Sequence, residues 1–180
     1  LAQKIMNDIY KEIGITATCG IGTNLYLAKI ALDISAKHNK TNISYLDEDT
    51  YKKTLWKHQP LTDFWRIGRG IAKRLNNIGI YDMEGIAKAD DAVLKKIFGV
   101  DYVIIKDHAN GIEPVKISDI KKYRSKEQSI SQGQVLFEDY KYSEARLVVK
   151  EMTELLSLEL IDKHLVTNNI SIYIGYSKDA

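Results

Sequence analysis

The chain has 180 residues, room for one ordinary domain or for two or three small ones. With 44% hydrophobic and 28% charged residues it excludes a disordered tail as the main feature, and a formal charge of +2 (26 basic, 24 acidic side chains) leaves any nucleic-acid role to local clusters. A single cysteine excludes a disulfide framework, and with no membrane-length apolar run and no basic-then-apolar leader we expect a cytoplasmic protein without a membrane partner. The first element is a helix, because Ile5, Met6, Ile9 and Ile13 recur at helical spacing and Gly14 is placed as its stop. Starting at Leu1 already inside that pattern, the chain is expected to be a piece of a longer protein. Ile15, Ala17, Cys19 and Ile21 then alternate as a buried strand does, with Cys19 as a small buried hydrophobe. The run Gly20-Ile21-Gly22-Thr23-Asn24 supplies a turn and a helix cap. Residues 24–37 follow as a helix whose apolar positions, Leu25, Leu27, Ala28, Ile30, Ala31, Leu32 and Ile34, wrap most of its circumference and predict packing on more than one side.

Residues 38–60 read as polar and irregular, a boundary between two domains. Next comes Phe64-Trp65-Arg66-Ile67-Gly68-Arg69-Gly70-Ile71-Ala72-Lys73-Arg74-Leu75, which has the pattern of two short helices joined by a glycine hairpin, a helix-hairpin-helix. Gly68 and Gly70 let the backbone turn tightly and approach another molecule. The helix starting near Ile71 points unpaired N–H groups at that gap, beside Arg66, Arg69, Lys73 and Arg74, which suits a phosphate. The alternative is an ordinary glycine-containing helix turn. Phe64 and Trp65 read as core anchors of the hairpin. Asp82 and Asp90 read as N-caps of two further short helices, the second over 92–98 with Gly99 as its stop. Residues 114–128 carry Lys116, Lys121, Lys122, Arg124 and Lys126 and read as an extended linker or a phosphate-tracking strap. Beyond them come a strand over 129–137, a helix over 143–163 with Ala145, Val148, Val149, Met152, Leu155 and Leu156 on one face, and a strand over 169–176.

Four of these segments, in order, resemble the Y-family translesion DNA polymerases and especially their bacterial UmuC/ImpB/MucB/SamB-like branch. They are Thr18-Cys19-Gly20-Ile21-Gly22-Thr23-Asn24 on to Ala36-Lys37-His38; Trp65-Arg66-Ile67-Gly68-Arg69-Gly70; Gly111-Ile112-Glu113-Pro114-Val115; and Ser129-Ile130-Ser131-Gln132-Gly133-Gln134-Val135-Leu136. The resemblance implies an α+β multidomain fragment: the C-terminal part of an α/β palm over 1–42, an all-helical thumb with the helix-hairpin-helix over 43–114, a basic linker over 115–128 and the N-terminal part of an α/β little finger over 129–180. It implies a parent that copies past damaged DNA in the SOS response, with Mg, a deoxynucleoside triphosphate and primer-template DNA as its ligands and a sliding clamp met through a C-terminus beyond this chain.

For the fragment itself we expect neither catalytic carboxylates nor a metal, and so no turnover. Asp47, Glu48, Asp49, Asp90 and Asp91 read as solvated or capping acids and not as substitutes. By resemblance Lys37 contacts the incoming triphosphate; balancing a helix terminus is the alternative. Lys29, eight residues earlier and about 80° around the axis, is expected to have another job. Arg66, Gly68, Arg69, Gly70, Ile71 and Lys73 are the expected contacts to DNA phosphates in the thumb, joined by Ser131, Gln132 and Gln134 in the little finger, indifferent to base sequence. Two rival functions stand beside this one: a free-standing helix-hairpin-helix adaptor of repair or recombination, and a protein-interaction role of the terminal module.

Overall fold

The computed structural model describes residues 1–125 and 129–177 and divides into two compact units, Leu1–Tyr123 and Arg124–Ala180. Lys126, at the end of the expected linker, lies outside the described residues.

In the first unit, helix α1 (Ala2–Ile13) stops where expected: Gly14 is left-handed (φ 70°) and its N–H bonds the Tyr10 carbonyl. None of its residues is buried. Strand β1 (Cys19–Gly22) is shorter than the alternation suggested and pairs in parallel with β2 (Ile43–Leu46), Cys19 opposite Ile43. Parallel strands need a crossover connection, and α2 (Leu25–Ile30) begins it, capped by the Asn24 side chain, which accepts from the Leu27 N–H at 2.8 Å. The single helix expected over 24–37 is three segments: α2, a π turn over Ala31–Ser35 and a 3₁₀ turn over Ala36–His38. The helix rides directly on β1. A Cβ at Gly20 would overlap the Ala28 carbonyl and the Leu32 backbone nitrogen, and one at Gly22 the Ala28 nitrogen. Those glycines are there for close approach, and their φ angles are unremarkable for any residue.

Residues 38–60 are not irregular. They hold β2 and then α3 (Glu48–Leu55), whose N-cap is Asp47, accepting from Thr50 N–H at 2.7 Å. A four-residue strand and an eight-residue helix are too short for periodicity to stand out among polar neighbours. Five helices follow: α4 (Arg69–Asn76), α5 (Met83–Lys88), α6 (Asp91–Phe98), α7 (Tyr102–Ala109) and α8 (Ile117–Lys122). Asp82 and Asp90 cap α5 and α6 as expected, accepting from Gly85 and Ala92 N–H groups at 2.8 Å each. Helix α8 lies inside the stretch read as an extended linker, its first turn closed by the Asp119 carboxylate accepting from the Lys116 N–H. One core serves the unit, running from Tyr26, Leu27 and Ile30 of α2 through Tyr51, Phe64 and Leu75 to Met83, Ile86, Leu94 and Ala109. Each large side chain buried there contributes about 1.5–3 kcal/mol.

In the second unit α9 (Tyr142–Asp162) forms nearly over the span expected, with Ala145, Val148, Val149, Met152 and Leu156 half-buried along one face. The strands expected over 129–137 and 169–176 are absent among the described residues: neither segment has a ladder partner. The fold is therefore a helix-rich mixed structure with one two-stranded parallel sheet, and the sheet-and-helix pattern expected of the terminal module is reduced to its helix.

Candidate nucleic-acid interface

The turn before α4 differs from the sequence reading in how it bends. A 3₁₀ turn, Leu61–Asp63, leads to Phe64, which is 1% exposed and anchors the segment in the core. The left-handed residue is Arg66 (φ 71°), not a glycine. Gly68 is extended (φ −82°, ψ 172°) as the N-cap of α4, and Gly70 is in the helix. Neither is required by backbone strain, which for a non-glycine at Arg66 costs about 1–3 kcal/mol. What the two glycines do is leave the helix start bare, since a Cβ on either meets nothing within 4 Å.

Among the described residues the N–H groups of Gly68, Arg69, Gly70 and Ile71 have no acceptor, from backbone or side chain. Four converging amides at a helix start carry the positive end of the helix dipole. Arg66, Arg69 and Lys73 are exposed around them and, among the described residues, make no ion pair. Ile71 is half-buried. Arg74 belongs to another job: its guanidinium donates to the Ile97 carbonyl at 3.3 Å and lies 4.7 Å from the Phe98 ring centre, tying α4 to the end of α6. Asp101 is the one acid on the wall of the small pocket behind the turn, shared with Trp65, Arg66, Ile67, Ile71, Ile104, Ile105 and His108.

Trp65 is not a core anchor. It is 36% exposed, with the Arg66 guanidinium 5.8 Å from its ring centre and the His108 imidazole stacked at 5.9 Å and 22°. His108 is 3% exposed and was not singled out in the sequence, although a His five residues before a Glu at the end of a helix is a signal one could have followed. Its Nε2 lies 3.0 Å from the Glu113 carboxylate, and its ring stacks on Tyr26 at 4.0 Å and 15°. Burial holds the His108 pKa below the ordinary imidazole value, Glu113 opposing and Arg66 reinforcing the shift, so the neutral ring donates its Nε2–H to Glu113. The last carbonyls of α7 and one just past it are also taken. Tyr51 Oη donates to His108 O, Trp56 Nε1 to Ala109 O and Asn24 Nδ2 to Gly111 O. Burial, with Tyr51 beside it, raises the Tyr26 pKa, and burial raises that of Tyr51.

Lys37 ends the crossover in its 3₁₀ turn and pairs with Asp33 at 3.2 Å, while Lys29 reaches the same carboxylate at 2.9 Å. The two lysines, one helical turn to either side of Asp33, thus share one partner. Desolvation pushes the Asp33 pKa up, but the two ammonium groups outweigh it and the net shift is downward. Asp33 and Lys37 line an open cleft with Ile34, His38 and the paired His58 and Asp63. Ser131, Gln132 and Gln134 are exposed in the irregular start of the second unit and are described only within that unit.

Comparison with known proteins decides the family. Across 99% of this chain and 82% of the relative's length, the sequence is 34% identical to the DNA repair protein homolog YobH of Bacillus subtilis. The chain belongs to the Y-family polymerase-like proteins. The impB/mucB/samB family description matches residues 1–33 within it. DNA polymerase IV 2 of Bacillus subtilis is 34% identical over 86% of the chain, which spans 37% of that protein. Among solved structures, DinB from Sulfolobus solfataricus superposes with a TM-score of 0.52 at 27% identity, covering 64% of this chain and 33% of the other. Except against YobH, the chain spans less than half the length of these relatives. No helix among the described residues is long and apolar enough to cross a membrane. Nor do any three His, Cys, Asp or Glu side chains among them converge as a metal would need.

Proposed function

We propose that this chain grips the sugar-phosphate backbone of primer-template DNA as part of a translesion polymerase. The observation that carries the reading is the bare start of α4, where, among the described residues, four amides without acceptors stand among three cations that make no ion pair. Such a site favours an anion of fixed spacing and offers nothing that distinguishes one base from another. Within the proposal, 64–75 acts as the helix-hairpin-helix of a thumb spanning 43–114, 1–42 as the end of a palm, 115–128 as a basic linker and 129–180 as the start of a little finger. Ser131, Gln132 and Gln134 add phosphate contacts from that last part. Lys37 takes a triphosphate oxygen in the parent, in exchange for its present pairing with Asp33. The parent's Mg is held by carboxylates other than those described here, a sliding clamp meets its C-terminus, and the protein works in the cytoplasm in response to DNA damage. Family membership and the DNA polymerase relatives support this reading.

The test is fluorescence anisotropy with a labelled primer-template at several salt concentrations. Binding is expected to weaken steeply with salt, by about 0.9 log unit per log unit of salt for each phosphate neutralised. Replacing Lys73 by alanine should lower that slope by about one phosphate contact and affect all sequences alike. The pair Gly68→Ala and Gly70→Ala should weaken binding too, because the added methyl groups stand in the approach path and in no contact of the fold itself. No binding at low ionic strength, or a loss confined to some sequences, overturns the proposal. With magnesium and four deoxynucleotides the chain is expected to incorporate none; steady extension of a primer would show a carboxylate site among these residues.

A further inference from the structure

The surface turn is joined to the buried core by a row of stacked groups. Arg66, left-handed and exposed, lies over Trp65; Trp65 is stacked with His108; His108 is stacked with Tyr26, which is fully buried in α2. A left-handed arginine persists only where its surroundings hold it. The imidazole at the centre is itself fixed, since one ring nitrogen bonds Glu113, the ring face is covered by Tyr26, and the backbone carbonyl of the same residue accepts from Tyr51. Glu113 is 4% exposed, so this is a buried polar pair in a place where a leucine would fill the space at lower desolvation cost. A leucine has no flat face to offer an indole, and a histidine free of Glu113 has no fixed plane.

We propose that Trp65 and His108 are positioning residues for the DNA grip: the clamped imidazole seats the indole, and the indole sets the angle at which Arg66 and the bare amides of 68–71 meet a phosphate backbone. The inference rests on the DNA-holding reading above. Trp65 touches no phosphate in this scheme, and His108 acts only through it.

Anisotropy on the full chain with the same primer-template, together with thermal melting, tests it. Trp65→Ala is expected to weaken binding about tenfold with little change in melting temperature, and Trp65→Phe, which keeps a flat ring, to recover most of that loss. His108→Gln keeps an N–H for Glu113 but removes the ring, and should match Trp65→Ala. The double variant should bind no worse than either single one, because both remove the same link. Wild-type affinity in Trp65→Ala, no recovery in Trp65→Phe, or losses that multiply in the double variant would each overturn the positioning role while leaving the DNA grip standing. If the wild-type chain itself binds no DNA, the grip falls and the positioning role with it. Should His108→Gln fail to fold, the two Trp65 variants decide the matter alone, the indole being at the surface.

Discussion

The two units start from similar residue patterns and reach different packing. Alternation over 15–21 yields β1 because β2 lies beside it to take up its backbone groups and α2 covers it. Alternation over 169–176 is as regular, yet Ile170, Ile172 and Ile174 are 88%, 65% and 51% exposed and form no strand. Among the described residues every buried hydrophobic side chain belongs to the first unit. An alternating pattern is thus a capacity that a strand partner and a covering helix convert into structure, because unpaired peptide groups cannot be buried without cost.

This contrast can be broken most sharply at glycine. Gly20→Ala sets a methyl against the backbone of α2 and should cost 4 kcal/mol or more, an exceptional value for a point change. Gly175→Ala, whose methyl makes only an ordinary contact with Tyr173, should stay within about 0.5 kcal/mol; urea unfolding measures both. Comparable costs would mean that the second unit is as tightly packed as the first. Next in size, Leu94→Ala in the fully buried core should cost about 2–5 kcal/mol, against about 0.5 kcal/mol for Ile172→Ala. Limited proteolysis should cut within 129–141 and 163–177 first and leave a stable product close to Leu1–Tyr123. Early cuts in α4 to α7 would reverse the comparison.

A smaller effect is pH. The folded chain resists protonating His108, whereas the unfolded chain takes that proton below about pH 6.5. Stability should therefore fall as pH drops through that value toward the lower folded pKa, and His108→Gln should flatten the slope. Glu113 and Asp107 oppose the shift and Arg66 assists it. The depressed Asp33 acts in the same direction but lower in pH: its contribution is present above the ordinary carboxylate range and is lost only in stronger acid, so urea midpoints between pH 8 and 5 isolate the histidine. Smallest of all, Gly70→Ala should raise stability by up to about 1 kcal/mol, as alanine does in an open helix, in contrast to the same change at Gly20.

Much of the local structure was legible. Asn24, Asp82 and Asp90 cap helices where their residue types said they should, and Gly14 ends α1, because a cap is an affair of three or four neighbouring residues. The position of the turn at 64–71 and its cations were legible for the same reason. Its bend was assigned to the wrong residues: Arg66 carries the positive φ, and the ring stacked on its neighbour Trp65 comes from His108, far along the chain. Strand β2 escaped notice because a four-residue strand is defined by its partner, and His108 because an imidazole gains its meaning from Glu113, Tyr26 and Trp65 together.

The amino-acid order alone determined the caps of α2, α5 and α6, the stop of α1 and the cluster of glycines and cations at 66–73, since each depends on groups within a turn or two of one another. Tertiary structure decided which alternating segment became a strand and which aromatic ring went into the core and which stayed at the surface. Those outcomes depend on desolvation and stacking between residues far apart in the chain, and no local pattern encodes which distant group will arrive.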